Sequence, residues 1–306
     1  MSEMRWRKPM KGEDFVEEKL VFPYYASVKL DGYRNIVDES VSRTSSGAPI
    51  GNDFVREFLS HEKFEGLDGE LIVGPWNDPR AFQNTNGPVR KKAGTPDFRW
   101  FIFDDRTRPN DTFETRFQSI KRRVQLECSR HRHPALARID VIPQEIVRNR
   151  EELARFEARA IAAKFEGVML RNPEGRYKFG RGTVDENLLL KVKRFITEEA
   201  KIVGYVEQLR TVTPEDIAAG INSASELGSM VPTGMVATFK VWSEKWKDFD
   251  IQATSLSHDD RKIAFDHFKE LYEGQCASFE YFPHGTIDRP RHGIFRGIRG
   301  EEDMTE

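Results

Sequence analysis

The sequence predicts a two-domain α+β protein in which a larger mixed domain precedes a small β-barrel. The chain has 306 residues, enough for two domains of ordinary size, and its hydrophobic fraction of 38% suffices for packed cores. Strand and helix patterns are mixed over residues 1–194, whereas residues 195–306 carry mainly short strands separated by turns. We therefore expect the domain boundary between Arg194 and Phe195.

Aromatic and β-branched segments predict the strands of the first domain. They lie at residues 22–28, 67–73, 99–104, 167–171 and 187–193. Apolar residues at helical spacing predict two helices, over residues 115–130 and 150–164. In the second of these helices, Leu153, Phe156 and Ile161 are expected to face the core.

Residues 195–306 follow a different pattern. Short strands at residues 200–206, 236–242 and 278–282 are separated by turn residues, and one helix is predicted over residues 259–272. About five short strands and a helix within about 110 residues are typical of a small β-barrel. Between the first strands, Thr213 is expected to cap a short helix that has Pro214 in its first turn.

Composition excludes several classes of protein. Cys128 and Cys276 are too few for a disulfide scaffold and indicate a reducing compartment. No segment approaches the roughly 18–20 consecutive apolar residues of a membrane helix. The residues after Met1 lack the apolar core of a secretory signal. We therefore expect a cytoplasmic protein that does not bind membranes.

Charge is distributed unevenly along the chain. The whole sequence has 48 basic and 50 acidic residues. Residues 195–306 hold 12 basic and 20 acidic residues, a net charge of −8, so the first domain carries a net charge of +6. A basic first domain is compatible with a polyanionic ligand bound mainly there. Two domains with ordinary charged surfaces and no such ligand would give the same numbers of basic and acidic residues.

The segment from Lys29 to Arg34 lies where the first predicted strand meets a turn. A lysine at the end of an apolar strand can be partly desolvated, which makes its amine available for nucleophilic attack. Asp31 can hold a cation, Gly32 lets the backbone approach a ligand, and Arg34 can bind phosphate. Lys-x-Asp-Gly is also common in surface turns, so both interpretations remain open for the segment taken alone.

Further polar side chains occur at predicted strands. Lys191 and Lys193 share one face because strand side chains alternate, and they suit either a polyphosphate or the protection of a sheet edge. Glu70 and Glu166 each lie beside a glycine at a strand terminus, where a carboxylate can bind a hard metal ion or a ribose hydroxyl. Phe103 can stack on a nucleobase or belong to the core.

Taken in chain order, these motifs resemble those of the covalent nucleotidyltransferases, which comprise ATP-dependent DNA ligases, ATP-dependent RNA ligases and mRNA capping enzymes. The matching motifs are Lys29-x-Asp31-Gly32-x-Arg34, Asp68-Gly69-Glu70, Phe103-Asp104, Glu166-Gly167-Val168-Met169 and Lys191-x-Lys193. Residues 42–44, with Arg43 at their centre, resemble an element of DNA ligases. Residues 166–171, 177–181 and 290–299 look particularly like the minimal viral ligases of Chlorella virus and bacteriophages.

The resemblance implies a fold and a reaction. Residues 1–194 are expected to form an adenylyltransferase (nucleotidyltransferase) domain of antiparallel sheets and helices, and residues 195–306 an OB-fold β-barrel. The implied reaction is the sealing of nicks between 3′-hydroxyl and 5′-phosphate ends of double-stranded DNA by a monomer, with ATP and Mg²⁺ or Mn²⁺. It passes through lysyl-AMP and DNA-adenylate before the phosphodiester forms and AMP is released.

The resemblance also implies residue roles. Lys29 is the expected nucleophile, and Lys191 and Lys193 are expected to neutralise the phosphates during catalysis. The expected nucleotide-binding residues are Ser27, Asp31, Gly32, Arg34, Arg43, Glu70, Phe103, Glu166, Lys191, Lys193 and Arg299. Within this set, Phe103 stacks on adenine and Arg299 orients the outer phosphates of ATP. The metal ion is expected at Asp31, Glu70 and Glu166, and DNA at Arg34, Arg43 and Arg181.

The sequence departs from the family pattern at two places. Many ligases have a glutamate two residues before the nucleophile, where this chain has Ser27, as in the shortest viral enzymes. Minimal viral ligases also have a long basic hairpin in the OB-fold, but residues 207–234 contain one basic residue, Arg210, and four acidic ones. No basic DNA clamp is therefore expected there.

Two alternative functions follow from the same motifs. One is an RNA-directed enzyme, either an RNA ligase or a capping guanylyltransferase. The residues after Arg299 lack the lysine with which capping enzymes end, and the second domain argues against many RNA ligases. The other alternative is a non-catalytic nucleic-acid-binding protein that has lost the activity of its enzyme domain.

Overall fold

In the computed structural model, the described residues are 6–130, 138–284, 286 and 288–299. The chain divides into two compact units, Met1–Lys193 and Arg194–Glu306. Among the described residues, no helix is long and apolar enough to cross a membrane.

Two five-stranded sheets form the first unit. In the first sheet the strand order is β1 (Glu13–Asp14), β10 (Leu189–Val192), β9 (Val168–Arg171), β2 (Tyr24–Val28) and β8 (Glu145–Val147). In the second sheet it is β4 (Val41–Arg43), β3 (Tyr33–Asp38), β5 (Leu67–Val73), β6 (Phe98–Asp105) and β7 (Ile139–Val141). Most neighbours are antiparallel, as predicted, but β1 pairs with β10, and β7 with β6, in parallel.

Four helices accompany these sheets, and their ends follow local capping. They are α1 (Asp53–Leu59), α2 (Ala81–Arg90), α3 (Phe113–Arg130) and α4 (Arg150–Ala162). The Asn149 side chain accepts a hydrogen bond from the Glu152 amide, so α4 begins at Arg150. Helix α4 ends two residues before the predicted end, and Lys164 adopts a positive φ of 65°.

The prediction that all three apolar residues of α4 face the core is wrong for Ile161. Leu153 is buried and Phe156 packs against the core, but Ile161 is 54% exposed. The buried positions of this helix are Leu153, Glu157 and Ala160, one stripe at helical spacing that excludes residue 161. Beyond the helix, the next apolar side chain to enter the core is that of Phe165.

A closed five-stranded barrel forms the second unit. The strand order is β11 (Ile196–Thr211), β12 (Met230–Ser243), β13 (Lys247–Gln252), β15 (Arg291–Ile298) and β14 (Cys276–Phe282). Its core contains Phe239, Ile251 and Phe279, all fully buried. The helix predicted over residues 259–272 is two shorter helices, α6 (His258–Asp266) and α7 (Phe268–Leu271), separated by His267.

Strands β11 and β12 are longer than predicted and continue past their other partners as a hairpin. We call residues 207–234 the hairpin arm; within it, β11 and β12 pair only with each other. The arm includes the short helix α5 (Pro214–Ala218), whose predicted cap is confirmed. Thr213 and Asp216 form a capping box and Pro214 is the first helical residue.

Candidate active site

A cavity of about 270 Å³ lies in the first unit and is lined by residues of both sheets. The first sheet contributes Ser27, Met169 and Lys191, which are neighbours across β2, β9 and β10. The second sheet contributes Arg34, Glu70 and Phe103 from β3, β5 and β6. The predicted motifs, which are far apart in sequence, therefore meet at one cavity.

The connection between β2 and β3 places Lys29 at this cavity. The Lys29 amide donates a hydrogen bond to the Gly167 carbonyl oxygen over 2.8 Å, which continues the pairing of β2 with β9. Gly32 lies so close to β5 that a Cβ atom there would overlap the carbonyl oxygen of Leu71. Glycine is therefore required at this turn because the backbone has to approach β5 closely.

Glu166 joins the two lysines expected to act in catalysis. Its carboxylate accepts hydrogen bonds from Lys29 Nζ on one oxygen and from Lys193 Nζ on the other. Burial opposes ionisation of Glu166, but the two ammonium groups outweigh it and lower the pKa of this carboxyl. Burial and the neighbouring Lys29 lower the pKa of Lys193, and Glu166 only partly offsets them. The result is a partly desolvated group of two cations and one anion.

Phe103 lines the cavity close to two arginines, one from each sheet. The guanidinium carbons of Arg34 and Arg171 lie 5.1 and 5.0 Å from the centre of its ring. Phe103 is half-buried and packs against the core through part of its ring. An aromatic ring at the edge of a cavity can accept a stacked base.

Glu70 has a strongly altered environment. Burial disfavours its charged form and raises the pKa of the carboxyl to about 7, although the cations Lys29 and Arg34 act in the opposite direction. The carboxylates Asp68 and Asp31 raise this pKa further. Glu70 is therefore about half protonated near neutral pH in the ligand-free protein.

The predicted metal-binding carboxylates do not form a three-ligand group. Within the described parts of the chain, no three histidine, cysteine, aspartate or glutamate side chains are arranged to hold a metal ion. Glu166 instead binds two lysines, while Glu70 lies at the cavity beside the charges of Asp31 and Asp68. In this structure lysine ammonium groups bind both oxygens of Glu166, and the expectation that Asp31, Glu70 and Glu166 bind the metal ion stays a prediction.

The cationic residues predicted to bind DNA differ in position. Arg34 and Arg181 line the cavity, and Arg181 also pairs with Glu13 at 3.3 Å. Arg43 is not among the residues that line this cavity. Its side chain donates to the carbonyl oxygens of Asp38 and Gly47 instead.

Arg299 belongs to the second unit. Its guanidinium pairs with Glu199 at 3.1 Å, and its amide donates to the Cys276 carbonyl oxygen over 2.8 Å. Both side chains of this ion pair are about 41% exposed. A pair this exposed contributes roughly 0–1 kcal/mol, so Arg299 can change partners at little cost.

Several buried charged residues at the cavity or next to it were not predicted as site residues, and one of them, Arg171, lines the cavity. Arg116 forms a fully buried pair with Asp104 at 2.7 Å, and Arg171, also buried, lies 3.9 Å from the same carboxylate. Asp68 binds Arg34 and Tyr177. Asp68 and Asp104 belong to two of the matching motifs, although the resemblance gave them no role. Nothing in the helix pattern distinguishes Arg116 from its exposed neighbours.

Comparison with known proteins identifies relatives of this chain. The family model described as the ATP dependent DNA ligase domain matches residues 9–193. Two structures of Chlorella virus DNA ligase-adenylate are 26% and 27% identical to the chain, each with a TM-score of 0.54. They cover 95% and 97% of this chain, which in turn covers 99% of each viral chain. No curated protein matches the sequence.

A structure of a Lig E DNA ligase has the same fold, with a TM-score of 0.71 at 18% identity. The match covers 96% of this chain and 100% of that one.

Two sheets around a lysine-bearing cavity, together with these similarities, define a nucleotidyltransferase fold. Because the family model spans more than half of the sequence, the chain belongs to the ATP-dependent DNA ligases. The predicted enzyme class, an ATP-dependent DNA ligase, is thereby confirmed.

Proposed function

We propose that this DNA ligase seals nicks in duplex DNA in three displacements at phosphorus. Lys29 attacks the α-phosphate of ATP and forms lysyl-AMP with loss of pyrophosphate. The AMP then passes to the 5′-phosphate at the nick, and the 3′-hydroxyl attacks that phosphate and releases AMP. The observation that carries this proposal is the placement of Lys29, bound to Glu166 and Lys193, at a cavity that also holds Phe103 and Arg34.

The arrangement suits phosphoryl transfer because catalysis at phosphorus consists mainly of positioning and charge neutralisation. Lysine attacks only as the free amine, and Glu166 is the hydrogen-bonded base nearest to Lys29. Lys191 and Lys193 supply positive charge for the phosphate oxygens. Arg34 and Glu70 provide donors and an acceptor for the ribose or the nick phosphate. Asp31 and Gly32 contribute the turn that presents Lys29.

The nucleotide is proposed to lie between the two sheets, with adenine stacked on Phe103. Ser27 is fully buried next to Met169 across β2 and β9, so it offers a small hydroxyl instead of a carboxylate at the base end of the cavity. Base recognition at this position therefore depends more on backbone groups than in ligases with glutamate there.

The carboxylates fit a divalent ion that arrives with ATP better than a resident metal. Mg²⁺ is commonly bound through one or two carboxylates plus substrate phosphates. Glu70 lines the cavity, and Glu166 would become available if the phosphates of ATP replace it at one of its two lysines. Asp31 is the third candidate for this role. Mg²⁺, or Mn²⁺, would neutralise charge on the phosphates when bound.

Residues 195–306 are proposed to form an OB-fold domain that follows, along the chain, an adenylyltransferase domain of residues 1–194. Three features support this assignment: a closed barrel of five strands, helices between β13 and β14, and the parallel pairing of β13 with β15. Arg181 and Arg43, on the basic first domain, are proposed to contact DNA phosphates. The cytoplasmic location and the monomeric state stay predictions.

A sealing assay tests this function. The protein is mixed with ATP, Mg²⁺ and a duplex carrying one nick, and the same duplex without the 5′-phosphate serves as the substrate control. We expect sealing of the phosphorylated nick only, its loss in Lys29→Arg, and normal sealing by Lys121→Arg, which alters an exposed lysine of α3. Equal sealing by Lys29→Arg, or joining of RNA in place of DNA, would contradict the proposal.

A further inference from the structure

A buried tyrosine stands behind Arg34, one of the cavity residues. Tyr177 is 3% exposed and its hydroxyl donates to Asp68 Oδ2 over 2.7 Å. Asp68 is fully buried and accepts two hydrogen bonds from Arg34, from Nε at 2.8 Å and from Nη2 at 2.6 Å. The three side chains form a continuous chain of hydrogen bonds from the interior to the cavity.

The direction of the Tyr177 hydrogen bond is fixed by its other partner. The Met10 amide lies 3.2 Å from the Tyr177 hydroxyl oxygen, and a backbone amide can only donate. The hydroxyl therefore accepts from Met10, and its own hydrogen remains for Asp68. Burial, followed by the charge of Asp68, raises the pKa of Tyr177 well above its usual range, so the hydroxyl stays a donor.

Asp68 depends on these donors because its carboxylate is removed from water. A buried carboxylate is costly unless its oxygens are hydrogen-bonded, and the loss of one donor weakens the whole arrangement. Through Asp68, the two-point contact fixes the plane of the Arg34 guanidinium. Burial disfavours the charged guanidinium, but Asp68 more than compensates, and the net effect raises the pKa of Arg34.

Arg34 retains donors for a ligand. Its guanidinium has five N–H groups, and Asp68 takes two of them, so three have no hydrogen-bond partner among the described residues. The side chain is 21% exposed and lines the cavity. Donors held in one plane are pre-organised for a phosphate or ribose oxygen, which lowers the entropy lost on binding.

We propose that Tyr177 is a positioning residue for the ligation reaction: through Asp68, its hydroxyl holds the Arg34 guanidinium in the orientation that binds substrate. The proposal rests on the proposed role of Arg34. Tyr177 also joins residue 10, in the segment that contributes Lys11 and Gly12 to the cavity wall, to the opposite sheet. It therefore couples two parts of the site that the motifs leave unconnected.

The test measures two steps separately: formation of the protein adenylate, and sealing of a nick whose 5′-phosphate is already adenylated. Arg34→Gln identifies the step in which Arg34 acts. Tyr177→Phe should slow that same step by about 10-fold, the usual effect of one hydrogen bond to a buried charge. The double variant should be no slower than Arg34→Gln alone, because the tyrosine acts only through the arginine.

Tyr24→Phe is the matched control. The Tyr24 hydroxyl also accepts from a backbone amide, that of Val21 at 2.9 Å, and donates to a side chain, Asn187 at 2.5 Å. Tyr24 is fully buried in a hydrophobic core of the first unit and does not line the cavity. Both tyrosine variants should lower the thermal unfolding temperature, but only Tyr177→Phe should slow a reaction step.

The possible results separate the proposed role of Tyr177 from the proposed role of Arg34. Wild-type rates in Tyr177→Phe, with Arg34→Gln impaired, would overturn the role of Tyr177 and leave that of Arg34. Additive losses in the double variant would overturn it as well. Wild-type rates in Arg34→Gln would refute the role of Arg34 and the Tyr177 proposal with it. If Tyr177→Phe is unfolded at the assay temperature, the same rates are compared at a lower temperature at which its circular dichroism spectrum matches that of the wild type.

Discussion

At the scale of single residues, Glu166 explains how two lysines can stand together in a partly buried site. Each oxygen of its carboxylate binds one ammonium group, so one negative charge partly compensates the two positive charges of Lys29 and Lys193 before ATP arrives. In the proposed reaction the α-phosphate approaches Lys29, and its negative oxygens can replace the carboxylate as the partner of Lys193. In the ligand-free site the two lysines are therefore pre-organised around one carboxylate, and a net positive charge remains for the phosphate.

The raised pKa of Glu70 predicts how the stability of the folded protein depends on pH. Its pKa is about 7 in the folded protein, and unfolding returns it to an ordinary value of 4.5. Between these values the folded state holds a proton that the unfolded state has lost, so folding stability falls as pH rises and levels off above about 7. Glu70→Gln removes this titration.

The measurement is the free energy of unfolding of both proteins between pH 4.5 and pH 8. The stability of Glu70→Gln relative to the wild type should increase across this range and be constant above it. A difference that is constant from pH 4.5 upward would show that Glu70 has an ordinary pKa. Lys29, Arg34, Asp31 and Asp68 are the charged groups around Glu70, and their contributions are common to both proteins unless they titrate with it.

The sequence could predict which residues lie together at the cavity where they belong to one short motif. Lys29 and Arg34 lie within six residues of each other, and one turn brings both to the cavity. The contact between Asp68 and Tyr177 spans 109 positions, so no periodicity reveals it. Arg43 donates hydrogen bonds to nearby carbonyl oxygens in this structure, and its expected contact with the nucleotide stays a prediction.

At the scale of elements, the hairpin arm lacks the positive charge of the basic hairpin that minimal viral ligases have. Its single basic residue, Arg210, pairs with Asp216 at 2.5 Å, while Leu209, Ile221, Leu227 and Met230 are each more than half exposed. Phosphate binding requires cations that release counterions, and the arm offers none that is unpaired among its described residues.

We predict that replacing residues 212–229 by Asn-Gly leaves the salt dependence of nicked-DNA binding unchanged. Asn-Gly favours a tight hairpin turn between β11 and β12. The slope of log affinity against log salt concentration should match that of the wild type. In Arg181→Gln, which removes a proposed phosphate contact, the slope should fall by about 1. A smaller slope in the arm variant would show that the arm contacts phosphates.

The element boundaries show what the sequence pattern lacks. The cap at Thr213 was predictable because capping depends on residues three positions apart. The division of residues 259–272 at His267 was not, because the apolar spacing continues through it. Strand β11 is longer than its predicted segment because exposed pairing with β12 needs no apolar alternation.

At the scale of the whole molecule, one proposed nucleotide-binding residue lies outside the first unit. Arg299 is in the second unit, whereas the other proposed contacts to ATP are in the first. The family resemblance implies that Arg299 acts on the outer phosphates in the first step only. Loss of one phosphate-directed arginine costs roughly 10³–10⁵-fold in such a step.

Arg299→Ala should therefore fail to form the protein adenylate but still seal a nick that was adenylated beforehand. Glu199→Gln, which removes the surface partner of Arg299, should keep both activities. Lys193→Ala should impair both steps, because Lys193 acts at the transferred phosphate itself. Equal loss of both activities in folded Arg299→Ala would contradict a role confined to the first step.

The central claim is that Lys29 carries the AMP that later activates the DNA end. The most direct measurement is to incubate the protein with ATP labelled at the α-phosphate and Mg²⁺, map the labelled peptide, and then add nicked duplex without free ATP. We expect one acid-labile adenylate on Lys29, whose label passes into DNA and is released as AMP on sealing. An adenylate on any other lysine, or a Lys29 adenylate that nicked DNA does not discharge, would contradict it.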